Sequence, residues 1–406
     1  VRKSASAKEK RVDAASAKTH DLAMVASSPT ARDSEAASAG EQQGLATDAR
    51  GRWLFSRWLD LAMLGIPLLV VVGAFVLARG DLSGGLPRTY ATWGSQFILG
   101  NTTHVVLTFL LLFARRDMLR ATPGQAPTVL IGGSIVWVTA FVAHYYVDRY
   151  APTMTDMLGA FVITLASHHT FSQSKGIWSL YAMQADGAPT DLERRMQRHY
   201  VPVALILVMV RWLFVAKAPG RMFPFIGAVP GLEAIFPFSV TFGLVLAWVV
   251  FATITVRAVA ASARERGYSQ PKTRYVIMSS FGVLLMILVP GWGSVLVSGV
   301  HGMEYFLLTQ RMLKPMPNEK TRLGLHLVVP AMAISVAPLF VVGLLTGPFV
   351  AHPSRTATLA MFAMNGLVLA HYFADAFIYR FRIPSVRRIA LARLGYAPPS
   401  PAPPAG

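Results

Sequence analysis

The sequence predicts an all-α fold: a polytopic integral membrane helix bundle of about ten transmembrane helices, with both termini cytoplasmic. Three observations predict it. Of 406 residues, 53% are hydrophobic and only 14% charged, with mean hydropathy +0.46, whereas soluble domains carry roughly a quarter charged residues. Apolar runs long enough to cross the hydrocarbon core as helix, which takes about 20 residues, recur along the chain. Basic residues cluster at the ends of alternate runs, the arrangement expected when Lys and Arg are held on the cytoplasmic side. That placement also accounts for the net charge of +18 and excludes a nucleic-acid partner, because no single face or motif carries the charge.

Residues 1–52 are rich in Ala and Ser, interspersed with charges and without hydrophobic periodicity. Too little apolar surface is present to offset the entropy of ordering, so a disordered cytosolic tail is expected. Acids such as Glu9, Asp13 and Asp21 argue against a transit peptide, and the first apolar run begins too late for a cleaved signal peptide. A transmembrane domain is expected over 53–383. A basic, then Pro-rich, tail follows over 384–406.

The expected spans are 58–79, 96–114, 128–147, 154–183, 200–217, 234–257, 275–290, 293–313, 324–349 and 358–380. Pro290-Gly291-Trp292-Gly293 divides the seventh from the eighth and reads as a tight reversal, since proline lacks a donor and glycine permits the turn. Arg50, Arg52 and Arg57 precede the first span, and Arg115, Arg116 and Arg120 follow the second. Arg194, Arg195 and Arg198 follow the fourth. Arg257, Arg264, Arg266, Lys272 and Arg274 follow the sixth, and Lys314, Lys320 and Arg322 the eighth. The tail holds Arg380, Arg382, Arg387, Arg388 and Arg393. All of them fall on one side for an even number of spans. The chain is therefore expected in the bacterial inner (cytoplasmic) membrane as a multi-pass protein.

Histidines inside these apolar runs are the candidate site. An ionisable group at membrane depth is costly and usually persists as a ligand, a relay or a substrate contact. His104, His144, His168, His169, His301 and His371 are the candidate metal ligands. Most have a polar neighbour three or four residues away, on the same helical face: Asn101 before His104, Gln173 after His169, Glu304 after His301, Asp148 after His144 and Asp375 after His371. A metal-bound imidazole commonly gives its second nitrogen to such a group, or the carboxylate is itself a ligand, as in di-iron bundles. Glu304, Asp375 and Gln173 are accordingly candidate catalytic residues. With no cysteine in the chain, imidazole and oxygen donors favour iron, manganese, zinc or copper(II).

Other readings stay open for the same residues. They form an ion or proton pathway, or they bond carbonyls on neighbouring helices for packing, or two of them ligate a b-type haem. His199 and His326 fall at cytoplasmic ends and His352 in an outer loop. Lys175 reads as a snorkelling side chain and Arg211 as a partner for Glu233 or a lipid phosphate. Trp53, Trp58, Trp93 and Trp292 read as interfacial anchors. HYYVD at 144–148 and HYFAD at 371–375 look like two uses of one device rather than a duplication.

The order of these patterns resembles a group of uncharacterised, histidine-rich polytopic bacterial membrane proteins. The residues carrying the resemblance are Asn101 and His104; His169, Gln173 and Gly176; His301, Glu304 and Tyr305; and His371, Tyr372 and Asp375. Glu304 stands where that group usually has Gln. More loosely, the layout is similar to the Brp/Blh carotene-cleaving dioxygenases, polytopic proteins with iron-binding histidines on separate helices, and to membrane fatty-acid desaturases and hydroxylases. The HxxxH and HxxHH boxes of the desaturases do not occur here. The expectation is a non-haem iron oxidoreductase (an oxygenase, hydroxylase or desaturase) acting on a lipid or other apolar substrate. One or two irons are the expected cofactor, with membrane lipids and an electron-donor protein as partners. The runner-up is a proton or divalent-cation transporter.

Overall fold

The computed structural model describes residues 53–80, 103–114, 120, 124–184, 189–213, 231–265, 270–313, 355–378 and 383–394. Every regular element among the described residues is helical. In chain order they are α1 (Arg57–Leu77), α2 (Thr103–Ala114), α3 (Gln125–Tyr150), α4 (Thr155–Gln184), α5 (Asp191–Arg211), α6 (Leu232–Glu265), α7 (Gln270–Leu288), α8 (Pro290–Leu313), α9 (Arg355–Ile378) and α10 (Pro384–Arg393). A short 3-10 turn, Pro152–Met154, separates α3 from α4.

Among the described residues, four helices, within α1, α3, α6 and α9, are long and apolar enough to cross a membrane, and α2 is a shorter apolar helix. The outward faces of α3 and α6 carry exposed Leu130, Ile131, Ile135 and Val138, and Phe238, Phe242, Leu246 and Val250. Apolar surface on this scale is not left facing water in a soluble monomer, and it marks the chain as a membrane protein. α4, α5, α7 and α8 coincide with four further predicted spans, but they are more polar. α4, for example, carries Ser167, His168, His169, Thr170, Ser172, Gln173, Ser174 and Lys175, interrupted only by Phe171. The predicted span 324–349, the tail 1–52 and the Pro-rich end lie outside the described residues.

The helix ends follow local chemistry. Ser56 caps α1, its hydroxyl accepting from Leu59 N at 3.2 Å. Buried Asp60 accepts from Leu54 N (2.7 Å), Phe55 N (2.9 Å) and the Tyr181 hydroxyl (2.6 Å), tying the start of α1 to α4. Thr190 caps α5 by accepting from Glu193 N at 3.2 Å. The Thr-x-x-Glu spacing suits a capping box, yet the Glu193 carboxylate is used otherwise. It accepts from Lys272 Nζ at 3.0 and 3.1 Å and from Trp178 Nε1 at 3.0 Å. Lys272, read from sequence as one of a loop cluster, is thus half of a fully buried ion pair.

α7 and α8 reverse at Val289, with Pro290 at the first position of α8, where its missing N–H costs nothing. A Cβ at Gly293 would overlap the backbone of Leu285 and Met286, so the reversal requires glycine there. Trp292 is buried against Phe75, ring centroids 5.5 Å apart, and is not an interfacial anchor. Arg211 Nε donates to Ile287 O at 2.8 Å, so its partner is α7 backbone. The predicted tail begins as helix α10, with Val386 and Ala390 buried.

α8 runs through the interior, packing on α1, α2, α4 and α7, and α9 packs on α2, α3 and α4. Gly299 and Gly302 are among its buried residues, and small residues let helix backbones approach closely. The closed circuit α2–α8–α4–α9 surrounds the candidate site.

Candidate metal centre

Each helix of that circuit contributes one histidine. His104 from α2, His169 from α4, His301 from α8 and His371 from α9 bring one ligand atom apiece within 4.8 Å of one another. Their rings form a cycle in which each meets the next nearly edge to face. Centroid separations are 4.6 Å for His104–His301, 4.9 Å for His301–His169, 4.9 Å for His169–His371 and 4.7 Å for His371–His104. The order of rings repeats the order of helix contacts. His104, His301 and His371 are buried, and His169 keeps only 10% of its surface.

The nitrogens fit an ion. His301 Nε2 and His104 Nε2 are 3.1 Å apart. Two imidazoles on one metal, with bonds of about 2.1 Å, stand roughly 3.0–3.4 Å apart at octahedral or tetrahedral angles. Opposed nitrogens would stand about 4.2 Å apart on the same bond length, so closure around one ion takes a shift of a few tenths of an ångström. His169 Nε2 and His371 Nε2 are buried with no hydrogen-bond partner among the described residues. Buried polar atoms are rarely left so, and two clustered imidazoles in that state are compatible with a ligand they share. Imidazole donors suit iron, copper(II), nickel or zinc.

Supporting groups fix the rings. Thr108, one turn beyond His104 on α2, places Oγ1 2.6 Å from His371 Nδ1 and 3.1 Å from Asp375 Oδ1. Its hydroxyl also meets that of Tyr305, which donates to Asp375 Oδ1 at 2.9 Å. For His371 Nε2 to offer a lone pair, Nδ1 must carry the proton. The chain then runs from Nδ1–H to Thr108 Oγ1, and from the Thr108 hydroxyl to Asp375. Asp375 Oδ2 has no hydrogen-bond partner and stands 3.6 Å from both His169 Nε2 and His371 Nδ1. It borders the cluster without being one of the four.

Glu304 and Gln173 form a separate support. Glu304 accepts from Tyr275 at 2.6 Å and from Gln173 Nε2 at 3.0 Å, and Gln173 Nε2 also donates to His301 O at 3.0 Å. Both side chains are thereby engaged in locking α8 to α4 and α7. His144 and His168 are not brought to the cluster. His144 Nδ1 donates to Ala140 O, one turn back, at 2.8 Å, and its Nε2 is 3.4 Å from Asn365 Nδ2. His168 is exposed, because adjacent residues on a helix point about 100° apart, and His169 takes the inward direction. Thr108 and Tyr275 were not singled out from sequence. Thr108 carried one usable signal, its spacing of four from His104.

A cavity of about 800 Å³ opens beside the cluster between α3, α4 and α9. His169 and Asp375 form part of its wall, and most of the remainder is aliphatic or aromatic. His144 and His168 line it as well. Compared with protein-family models, with curated proteins and with solved structures, the chain has no match.

Proposed function

We propose that the chain is a metal-dependent membrane oxidoreductase, a non-haem iron oxygenase, hydroxylase or desaturase, acting on a lipid or other apolar substrate. In this reading it is a bundle of about ten spans in a bacterial inner membrane with cytoplasmic termini. The observation that carries it is the coincidence of four buried imidazoles from four helices with an apolar cavity that shares a wall with them.

His104, His169, His301 and His371 would hold the ion, and iron would supply redox chemistry toward dioxygen. Thr108, Tyr305 and Asp375 keep His371 in the coordinating tautomer. Asp375 Oδ2 is the basic atom nearest both cluster and cavity, placed to take or return a proton beside the substrate. The aliphatic walls exclude water and hold a hydrocarbon against the cluster. Hydroxylation and desaturation draw two electrons from outside, so for those two reactions an electron-donor protein would be a partner, whereas dioxygenation would need none. Four rings in mutual edge-to-face contact leave no slot for a porphyrin, which favours an ion over haem. An ion pathway needs polar walls, whereas this cavity is walled mainly by carbon.

Metal analysis and a visible spectrum of the purified protein test it. The expected result is stoichiometric iron without a Soret band, with His371→Ala losing the metal and His144→Ala retaining it. Protein holding neither metal nor haem, or His371→Ala with full occupancy, refutes the assignment.

A further inference from the structure

The cavity has a shape that its volume alone does not convey. Along α4 its wall includes Leu158, Leu165, His169, Gly176 and Leu180. At about 1.5 Å per residue this stretch is roughly 33 Å long, comparable with the ~30 Å hydrocarbon thickness of a bilayer. His169 lies eleven residues from each end, about 16 Å by the same rise. The imidazole cluster therefore abuts the middle of the groove.

The groove is also open sideways. Ile135 of α3 and Phe161 of α4 line it and are themselves exposed, at 59% and 57% of their surface. Around them lie exposed Ile131, Val138 and Met157, on the apolar surface that faces lipid. Gly176 keeps the far half clear, since a Cβ built there meets no atom within 4 Å.

Resting on the reading of the cluster as the reacting centre, we infer that the substrate is a long hydrocarbon chain that enters laterally from the bilayer. It lies lengthwise along α4, so that an interior carbon, and neither terminus, is presented at His169 and Asp375. An extended chain advances about 1.25 Å per carbon, given bonds of about 1.5 Å. On that advance roughly a dozen carbons separate the reacting position from either end of the groove. A chain much shorter than this would not span both halves.

Photocrosslinking with straight-chain fatty acids of about 26 carbons, long enough to span both halves at about 1.25 Å per carbon, that carry a diazirine at mid-chain or near the methyl end tests the placement in full-length protein in lipid vesicles. The mid-chain probe is expected to label α4 between Leu165 and Gln173, and the methyl-end probe to label near Leu158–Phe161 or Gly176–Leu180. Gly176→Phe, which fills open space, should lower the yield of mid-chain crosslinking within α4 about tenfold (equal to about 1.4 kcal/mol) while metal content stays unchanged. Mid-chain labelling at one end of the groove, labelling confined to outer faces, or an unaltered mid-chain yield in Gly176→Phe overturns the inference. None of these readouts needs a bound metal. A protein that binds the chain as described but holds no iron would refute the oxidoreductase reading and leave the groove assignment standing.

Discussion

Replacing Thr108 by valine removes one hydroxyl at the point where three supporting groups meet, with little change in side-chain volume. Thr108 is fully buried, so no water replaces the lost partner of His371 Nδ1. Leaving a buried polar atom unpaired costs about 1–3 kcal/mol. Tyr305 still donates to Asp375 Oδ1, so the carboxylate is spared and the loss falls mainly on His371. Without the hydroxyl, the neutral ring divides between its two tautomers, and only the Nδ1–H form presents a lone pair at Nε2. Coordination also makes Nδ1–H a stronger donor, so part of the lost bond is specific to the metal-bound state. Together these place the effect within the roughly 10–100-fold loss of affinity usual for groups that orient metal-bound histidines. The assay is competition for cobalt(II) or zinc against a chromophoric chelator in detergent, with thermal unfolding of the metal-free protein recorded alongside. An affinity ratio within about threefold of unity would falsify the assignment of His371 Nε2 as ligand and Nδ1 as the anchored atom. Unfolding shifted equally with and without metal would show that Thr108 serves packing alone.

Two further outcomes follow from the surroundings of the centre. Glu304→Gln can keep its one acceptor oxygen toward Gln173 Nε2 and turn its amide N–H toward the Tyr275 hydroxyl, which can accept, so the bond from Gln173 Nε2 to His301 O is left in place. Metal affinity should stay within about threefold, an effect well short of the ~10–100-fold loss of an orienting group, whereas Glu304 acting as a ligand would make the same change far more damaging. Lys272→Met strands the Glu193 carboxylate, 1% exposed, beside Trp178. Breaking one side of such a pair costs about 3–5 kcal/mol. A matching fall in detergent stability, partly restored by the double change Glu193→Gln with Lys272→Met, is expected. An unshifted melting temperature for Lys272→Met would mean that the ion pair contributes nothing there.

The histidines of the centre were legible in the sequence as a set, because a polar ring inside an apolar run stands out against its neighbours. Their selection was not. His168 and His169 are equivalent in composition and depth, and only the rotation of α4 against α8 and α9 turns one inward. His144 and His371 open near-identical pentads, yet His144 bonds its own helix and His371 enters the cluster. Glu304 and Asp375 looked alike as carboxylates one turn from a histidine. Packing set Glu304 against Tyr275 and Gln173, and Asp375 beside two imidazoles. Thr108 escaped notice because threonine is common in apolar helices and acquires a role here only through His371, 263 residues away in sequence.

The sequence by itself determined that the chain is helical, that it carries spans apolar enough for a membrane, and that a reversal falls next to Pro290, although Pro290-Gly291-Trp292-Gly293 proved to be the first turn of α8. Each of these depends on side-chain chemistry within one stretch of chain, where transfer into hydrocarbon and backbone hydrogen bonding act locally. Only the tertiary structure decided that α2, α4, α8 and α9 close into one circuit, that His104, His169, His301 and His371 meet inside it, and that a groove runs past them. Those outcomes depend on the rotation and order of helices around one another, which close packing between distant segments fixes and which no local pattern encodes.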